Sequence, residues 1–332
     1  MVTRSSVGVS AVRVAVASAA WSSRSLGALA PSVFAMRRSL RSGRSRAREP
    51  SGHVLPPGRG ARTSGVLTLV APDMTNGSGG QGGGMEETPW PAAVAPTLTG
   101  IDELDEVLPT CRACPRLVAW REEVARVKRA AFRDEEYWGR PVPGFGPRDA
   151  ALAVVGLAPA AHGGNRTGRM FTGDRSGEVL YAAMYRAGLA SRPDSVRPGD
   201  GLTLRSTRVT SPVHCAPPDN RPTPGERDTC RPWLAREFEL LAPTLRAVLV
   251  LGGFGWQAVL PVLAAAGWRV PRPHPAFAHD AHVVLPSASE GGPLHLLGCY
   301  HVSQRNTSTG RLSPEMVEDR LRAAARVADI AE

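Results

Sequence analysis

The chain contains no apolar run approaching the roughly 18–20 residues that a helix needs to cross a bilayer, so a soluble, cytoplasmic protein with no membrane partner is expected. With only five cysteines, a Cys-x-x-Cys pair among them, and no secretory signal expected, metal binding is favoured over a disulfide framework. Acids are nearly missing from the first 84 residues: Glu49 and Asp73 face eleven arginines, with no lysine. Beyond Gly84 there remain 29 basic and 28 acidic residues, so the net charge of +10 belongs to the tail and carries no information about partners of the folded part.

The tail is rich in Arg, Ser, Gly and Ala. Its first part has the composition of an organellar transit segment. The run Gly77-Ser-Gly-Gly-Gln-Gly-Gly-Gly84 has too little apolar surface to offset its ordering entropy, which predicts a flexible linker or an untranslated leader. Met74 and Met85 are alternative starts. The expected organisation is therefore a disordered tail over 1–84 and one globular domain over 85–332, long enough for a single well-filled core.

Ala151-Leu-Ala-Val-Val155 is a short, fully apolar run ending at Gly156, the pattern of a buried strand feeding a tight turn. Arg246–Leu251 before Gly252-Gly253 repeats that design. Leu202–Thr210 and Leu294–Tyr300 are further predicted strands. Helical periodicity marks Gly177–Gly188, Glu226–Leu241 and Pro314–Ile330, the last opened by Ser313 as N-cap and Pro314 at the first helical position. Alternating strands and helices predict a mostly parallel sheet covered on both faces, a three-layer α/β/α sandwich. In such sheets the ligand crevice lies at the carboxyl ends of the strands, where both glycine-rich turns fall.

The run Gly156-Leu-Ala-Pro-Ala-Ala-His-Gly-Gly-Asn-Arg-Thr-Gly-Arg-Met-Phe-Thr-Gly-Asp174 places glycines wherever another backbone or a ligand must approach closely. It lacks the Gly-Lys-Ser/Thr ending of a P-loop and the Gly-x-Gly-x-x-Gly spacing of a dinucleotide site, which weighs against a nucleotide-binding module. Cys111 and Cys114 form a Cys-x-x-Cys pair, while Cys215 and Cys230 follow about a hundred residues later with fourteen residues between them. That uneven spacing suits zinc and a four-iron cluster about equally, and leaves unliganded thiols open. Cys299, inside a predicted strand, is a small buried hydrophobe.

Together with Cys215-Ala-Pro-Pro-Asp-Asn-Arg-Pro-Thr-Pro224 and His301-Val-Ser-Gln-Arg-Asn-Thr-Ser-Thr-Gly-Arg311, this run resembles family 5 of the uracil-DNA glycosylase superfamily, the iron–sulfur type, over roughly Leu108 to Ala328. The resemblance implies a three-layer α/β/α fold, a 4Fe–4S cluster on Cys111, Cys114, Cys215 and Cys230, and removal of uracil and other deaminated bases from DNA. A monomer acting on DNA is expected.

That reaction requires the damaged nucleotide to leave the stack and its base to be held while positive charge develops on the sugar. Phe171 offers a stacking face, with Gly156 and Ala158 beside it in the base pocket. Related branches of the superfamily carry a carboxylate just before Pro159, where this chain has Leu157 and Ala158. Asp174 is the nearest carboxylate in the motif. It is read as orienting or deprotonating water, and also as the cap of the helix that follows. His301 is placed to donate to the base carbonyl as the bond breaks. Asn220, in a Pro-rich turn, is a candidate for holding a base edge or the water. Gln304 and Arg305 are the candidate wedge in a DNA-inserting loop that also carries Arg311. Ser211-Pro-Val-His214 offers no amide to read uracil, which predicts a broad range that includes hypoxanthine, with other deaminated or etheno bases as further candidates. Non-catalytic recognition of damaged DNA is the alternative function.

Overall fold

The computed structural model describes residues 91–288 and 291–331, all within one compact unit. The arginine-rich segment over 1–84 lies outside the described residues. Five strands form one sheet: β1 (Leu152–Val155), β2 (Thr207–Thr210), β3 (Ala247–Leu251), β4 (His282–Leu285) and β5 (Leu294–Cys299). Their order is β2-β1-β3-β5-β4. All neighbours pair in parallel except β4, which runs antiparallel to β5.

The helices among the described residues are α1 (Pro91–Val94), α2 (Ile101–Val107), α3 (Pro115–Val127), α4 (Gly164–Thr167), α5 (Arg175–Arg186), α6 (Pro224–Leu241), α7 (Gly253–Ala265), α8 (Gln304–Ser308) and α9 (Pro314–Val327). None is long and apolar enough to cross a membrane.

Every residue of β1 and β3 is buried, because helices cover both faces of the sheet. Alternation along each strand divides the core in two. Ala153, Val155, Val248, Val250 and Leu296 pack with Leu104 of α2, Phe238 of α6 and Val259 of α7. Leu152, Val154, Leu249, Leu251 and Cys299 pack on the other side with Leu180 of α5 and Leu321 of α9. These are the three layers predicted, and Cys299 is fully buried among them.

Three differences from the sequence reading have local causes. The segment Leu202–Thr210 is strand only over its last four residues: Leu204 bridges antiparallel to Ala190, and Ser206 at φ 47° breaks the extended run. Helices α5 and α6 begin two residues earlier than their periodicity shows, since Asp174 and Thr223 act as their N-caps, the latter in a full capping box with Glu226. The residues after Ser303 fold as α8, capped by the Ser303 side chain, where a loop was expected.

The edge strand β2 buries a charge. Arg208 pairs with Glu237 of α6, and its Nη2 donates to Asp105 of α2 at 2.6 Å. Thr210 Oγ1 donates to Glu237 at 2.6 Å. A buried cation is tolerable only when so paired, and the pairing fastens α2 and α6 to the sheet edge.

Candidate active site and cysteine cavity

The carboxyl ends of β1, β2, β3 and β5 lie at one edge, and the order reverses about β1, which makes this edge the expected ligand crevice. A cavity of about 420 Å³ opens there. Leu157, Ala158 and Phe171 line it from the segment after β1, Asp174, Arg175 and Ser176 from the start of α5, Ser211 and Asn220 from beyond β2, and His301, Ser303 and Gln304 from beyond β5.

Phe171 is half-buried with φ 51°, a backbone region a bulky residue rarely adopts, and the segment is clamped on both sides. Buried Arg169 grips Asp200 through both terminal nitrogens, at 3.0 and 2.6 Å, and donates from Nε to Thr172 Oγ1 at 2.9 Å. Buried Arg166 donates to the carbonyls of His162 and Gly173 at 2.8 and 3.0 Å. Gly156 does not line the cavity; its bare Cα makes room for the ring, since a Cβ there would stand 2.7 Å from Phe171 Cζ. The Phe171 and His301 rings lie 6.3 Å apart.

Asp174 is divided between two tasks. Its Oδ1 accepts the Gly177 N–H at 3.0 Å, the capping bond of α5. Its Oδ2 lies against Gly163, where any Cβ would collide with it. Burial raises the Asp174 pKa above the ordinary carboxylate range, against the lowering effect of the Gly177 and Ser176 backbone N–H groups. Burial pushes the His301 pKa down to about 4, so its ring is neutral at physiological pH. Asn220 is exposed at the cavity mouth with φ 54°, a left-handed conformation that Asn tolerates better than most residues.

The predicted DNA-contacting residues separate. Gln304 is exposed on the cavity rim, and Arg305 is exposed one residue further along α8, outside the lining. Arg311 stacks its guanidinium over Tyr300 at 4.3 Å, away from the cavity. His162 bonds to Tyr137 Oη at 3.0 Å, and Asn165 donates to the Arg121 carbonyl at 3.1 Å, so both brace the motif. Met170, Arg175 and Ser303 line the cavity but were given no role in the sequence reading. Their only signal there was adjacency to motif residues.

Cys111, Cys114, Cys215 and Cys230 line a second cavity together with Leu117, Val118, Arg121, His214 and Trp233. All four are free thiols. Arg121, 1% exposed, donates from Nη1 to Cys215 Sγ at 2.9 Å and from Nη2 to the Cys111 carbonyl at 3.0 Å. Burial pushes the Cys114 thiol up to about 11 and the Cys215 thiol to about 12. Among the described residues no group of three or more His, Cys, Asp or Glu is gathered tightly enough to hold one metal ion. Ala158, which lines the first cavity, and Cys114, which lines the second, both pack against a small buried cluster of Leu117, Val213 and Cys215.

A mostly parallel sheet whose strand ends gather a carboxylate, a histidine and an aromatic face around one cavity has the layout of an α/β ligand crevice. The model of the Uracil DNA glycosylase superfamily matches residues 143–325, and the chain belongs to that superfamily. Within it, the chain is 55% identical over 230 residues to the Type-5 uracil-DNA glycosylase of Mycobacterium tuberculosis, covering 69% of this chain and 82% of that protein. To the Type-5 enzyme of Thermus thermophilus it is 51% identical over 225 residues, 68% of this chain and 97% of that protein. A Type-4 uracil-DNA glycosylase of Archaeoglobus fulgidus is 31% identical over 119 residues, 36% and 51% of the two chains.

Proposed function

We propose that the chain is a monofunctional DNA glycosylase that hydrolyses the N-glycosyl bond of uracil in DNA and begins base excision repair. The observation that carries the mechanism is the convergence of Phe171, Asp174, Asn220 and His301 on one cavity of about 420 Å³, within the roughly 300–1,000 Å³ range of small-ligand sites. The flipped base stacks on Phe171. Asp174 Oδ2 orients water toward the sugar C1′ and takes its proton as the new C–O bond forms. The C1′–N bond breaks, and its electron pair leaves with the base, where the neutral His301 ring donates to the carbonyl that gains negative charge. A neutral imidazole is the right donor here, because it keeps its proton instead of surrendering it to the departing anion. Asn220 holds the base edge or the water, and Gln304 with Arg305 fills the vacated stack, a short helix serving as the wedge.

The stretch Ser211-Pro-Val-His214 offers no amide to read uracil, and the Ser211 hydroxyl is spent on the Val213 carbonyl at 2.9 Å. With few obligatory hydrogen bonds to satisfy, the pocket accepts hypoxanthine too. The enzyme works as a cytoplasmic monomer on nucleoid DNA, with residues 85–332 as its catalytic domain.

Cys111, Cys114, Cys215 and Cys230 hold a 4Fe–4S cluster in this reading. The donor set fits: four cysteines from three separate segments line one cavity, a set of thiolates that a zinc ion or a four-iron cluster takes, and the resemblance to the iron–sulfur type favours the cluster. When bound, the cluster is a structural staple that ties α3, the segment after β2 and α6 together behind Ala158.

The test is base release from labelled duplexes containing uracil or hypoxanthine, read by alkaline cleavage of the abasic site, with iron, sulfide and visible absorption measured on the same full-length protein. Release of both bases by a brown protein supports the whole reading. A brown protein that binds these duplexes and leaves every base in place rejects catalysis in favour of non-catalytic recognition of damage.

A further inference from the structure

The cysteine cavity is lined by more than sulfur. Among the buried side-chain nitrogens that lack a hydrogen-bond partner are Arg121 Nε, Trp233 Nε1 and His214 Nε2, and all three side chains line this one cavity. They are 1%, 2% and 1% exposed, so bulk solvent does not reach them. The first two nitrogens are obligate donors. The His214 ring donates from Nδ1 to the Val142 carbonyl at 2.8 Å, which leaves Nε2 of the neutral ring an acceptor, so the unpartnered donors at this cavity are Arg121 and Trp233. A buried N–H without a partner is expensive, and such groups gathered around one space point to acceptor atoms within it.

We infer that Arg121 and Trp233 donate N–H hydrogen bonds to the sulfur atoms of the metal group held by Cys111, Cys114, Cys215 and Cys230, and that these bonds set its reduction potential and its retention. The inference rests on the cluster reading above. Arg121 shows the mode already: its Nη1 reaches Cys215 Sγ at 2.9 Å, and its Nε belongs to the same planar fork. Cys230 and Trp233 lie three residues apart on α6, so the ligand and the indole face the same way from adjacent turns. Donors to cluster sulfur favour the electron-rich state, so they raise the potential and bind the cluster more firmly.

Trp233→Phe removes one N–H and keeps most of the ring volume. Trp120→Phe is its control, because Trp120 Nε1 is also buried without a partner but the side chain does not line the cavity. Reduction potential and the rate of iron release to a chelator are measured on the full-length holoproteins, after the iron and acid-labile sulfide content of the wild type has been established. The expected result is a lower potential and several-fold faster iron release in Trp233→Phe, with Trp120→Phe matching the wild type. Unchanged values in Trp233→Phe, or equal changes in both variants, overturn the inference while leaving the cluster in place. A wild type that carries zinc and no sulfide removes the cluster reading itself, and the inference with it.

Discussion

Replacing Asp174 by Asn separates the two tasks of that residue. The capping bond to the Gly177 N–H at 3.0 Å needs only an acceptor, and Asn caps helices about as well as Asp, whereas Ala forfeits about 1 kcal/mol. The charge matters differently. Because burial raises the folded-state pKa, folding favours the protonated acid: the stability contributed by this group is complete below its ordinary value of 3.8 and is lost as pH rises through the folded value. Asp174→Asn therefore removes a burden at neutral pH, and the melting temperature should stay constant or rise. Catalysis should collapse, since losing a positioned base removes about 10²–10⁴ in rate, or about 3–5 kcal/mol of barrier. Gly163→Ala should give a similar loss by driving a methyl group into Oδ2 while leaving the carboxylate present. Single-turnover release of uracil, with duplex binding and thermal melting measured in parallel, decides the matter. An Asp174→Asn enzyme within tenfold of wild-type rate would refute the assignment and leave Asp174 as a helix cap.

His301→Ala should slow base release by about 10²-fold or more with a smaller change in binding. With its pKa at about 4, His301 should produce no fall in wild-type rate between pH 8 and 6; its lowered pKa instead makes its contribution to stability shrink as pH falls from 6.5 toward 4, a dependence that His301→Ala should flatten in melting curves. Phe171→Ala should cost about 1–3 kcal/mol in binding duplexes with a flipped base, measured as a roughly 5- to 150-fold rise in Kd. Arg208→Leu strands Glu237 and Asp105 and should cost about 3–5 kcal/mol in denaturant unfolding.

Sequence periodicity located the parallel strands and the helices α5, α6 and α9, because strands buried on both faces read as unbroken apolar runs and amphipathic helices show a repeating stripe. Helix α7 escaped notice: it opens with Gly253 and Gly255, carries Pro261 inside, and is apolar on most sides, so it has no stripe to detect. Strand β4 escaped too, since an edge strand with exposed residues has weak contrast. At the site, chemistry-bearing residues in long motifs were legible, and Phe171, Asp174, Asn220 and His301 do share one cavity. What the sequence hid was support that acts across long separations. The grip of Arg169 on Asp200 and of Arg121 on Cys215 joins residues 31 and 94 positions apart, and no local pattern announces such a partner.

If Phe171 is the stacking wall proposed above, the hold of Arg166 and Arg169 on the turn around it decides where recognition spends its time. A wall whose aromatic already sits in a left-handed turn is in place before the DNA arrives, so each encounter along a duplex would become a question put to the DNA: whether the base is loosely enough held to swing out while the enzyme is there. Pairs weakened by deamination answer sooner than intact ones. Discrimination then begins in the mechanics of the duplex, before any atom of the base has been read.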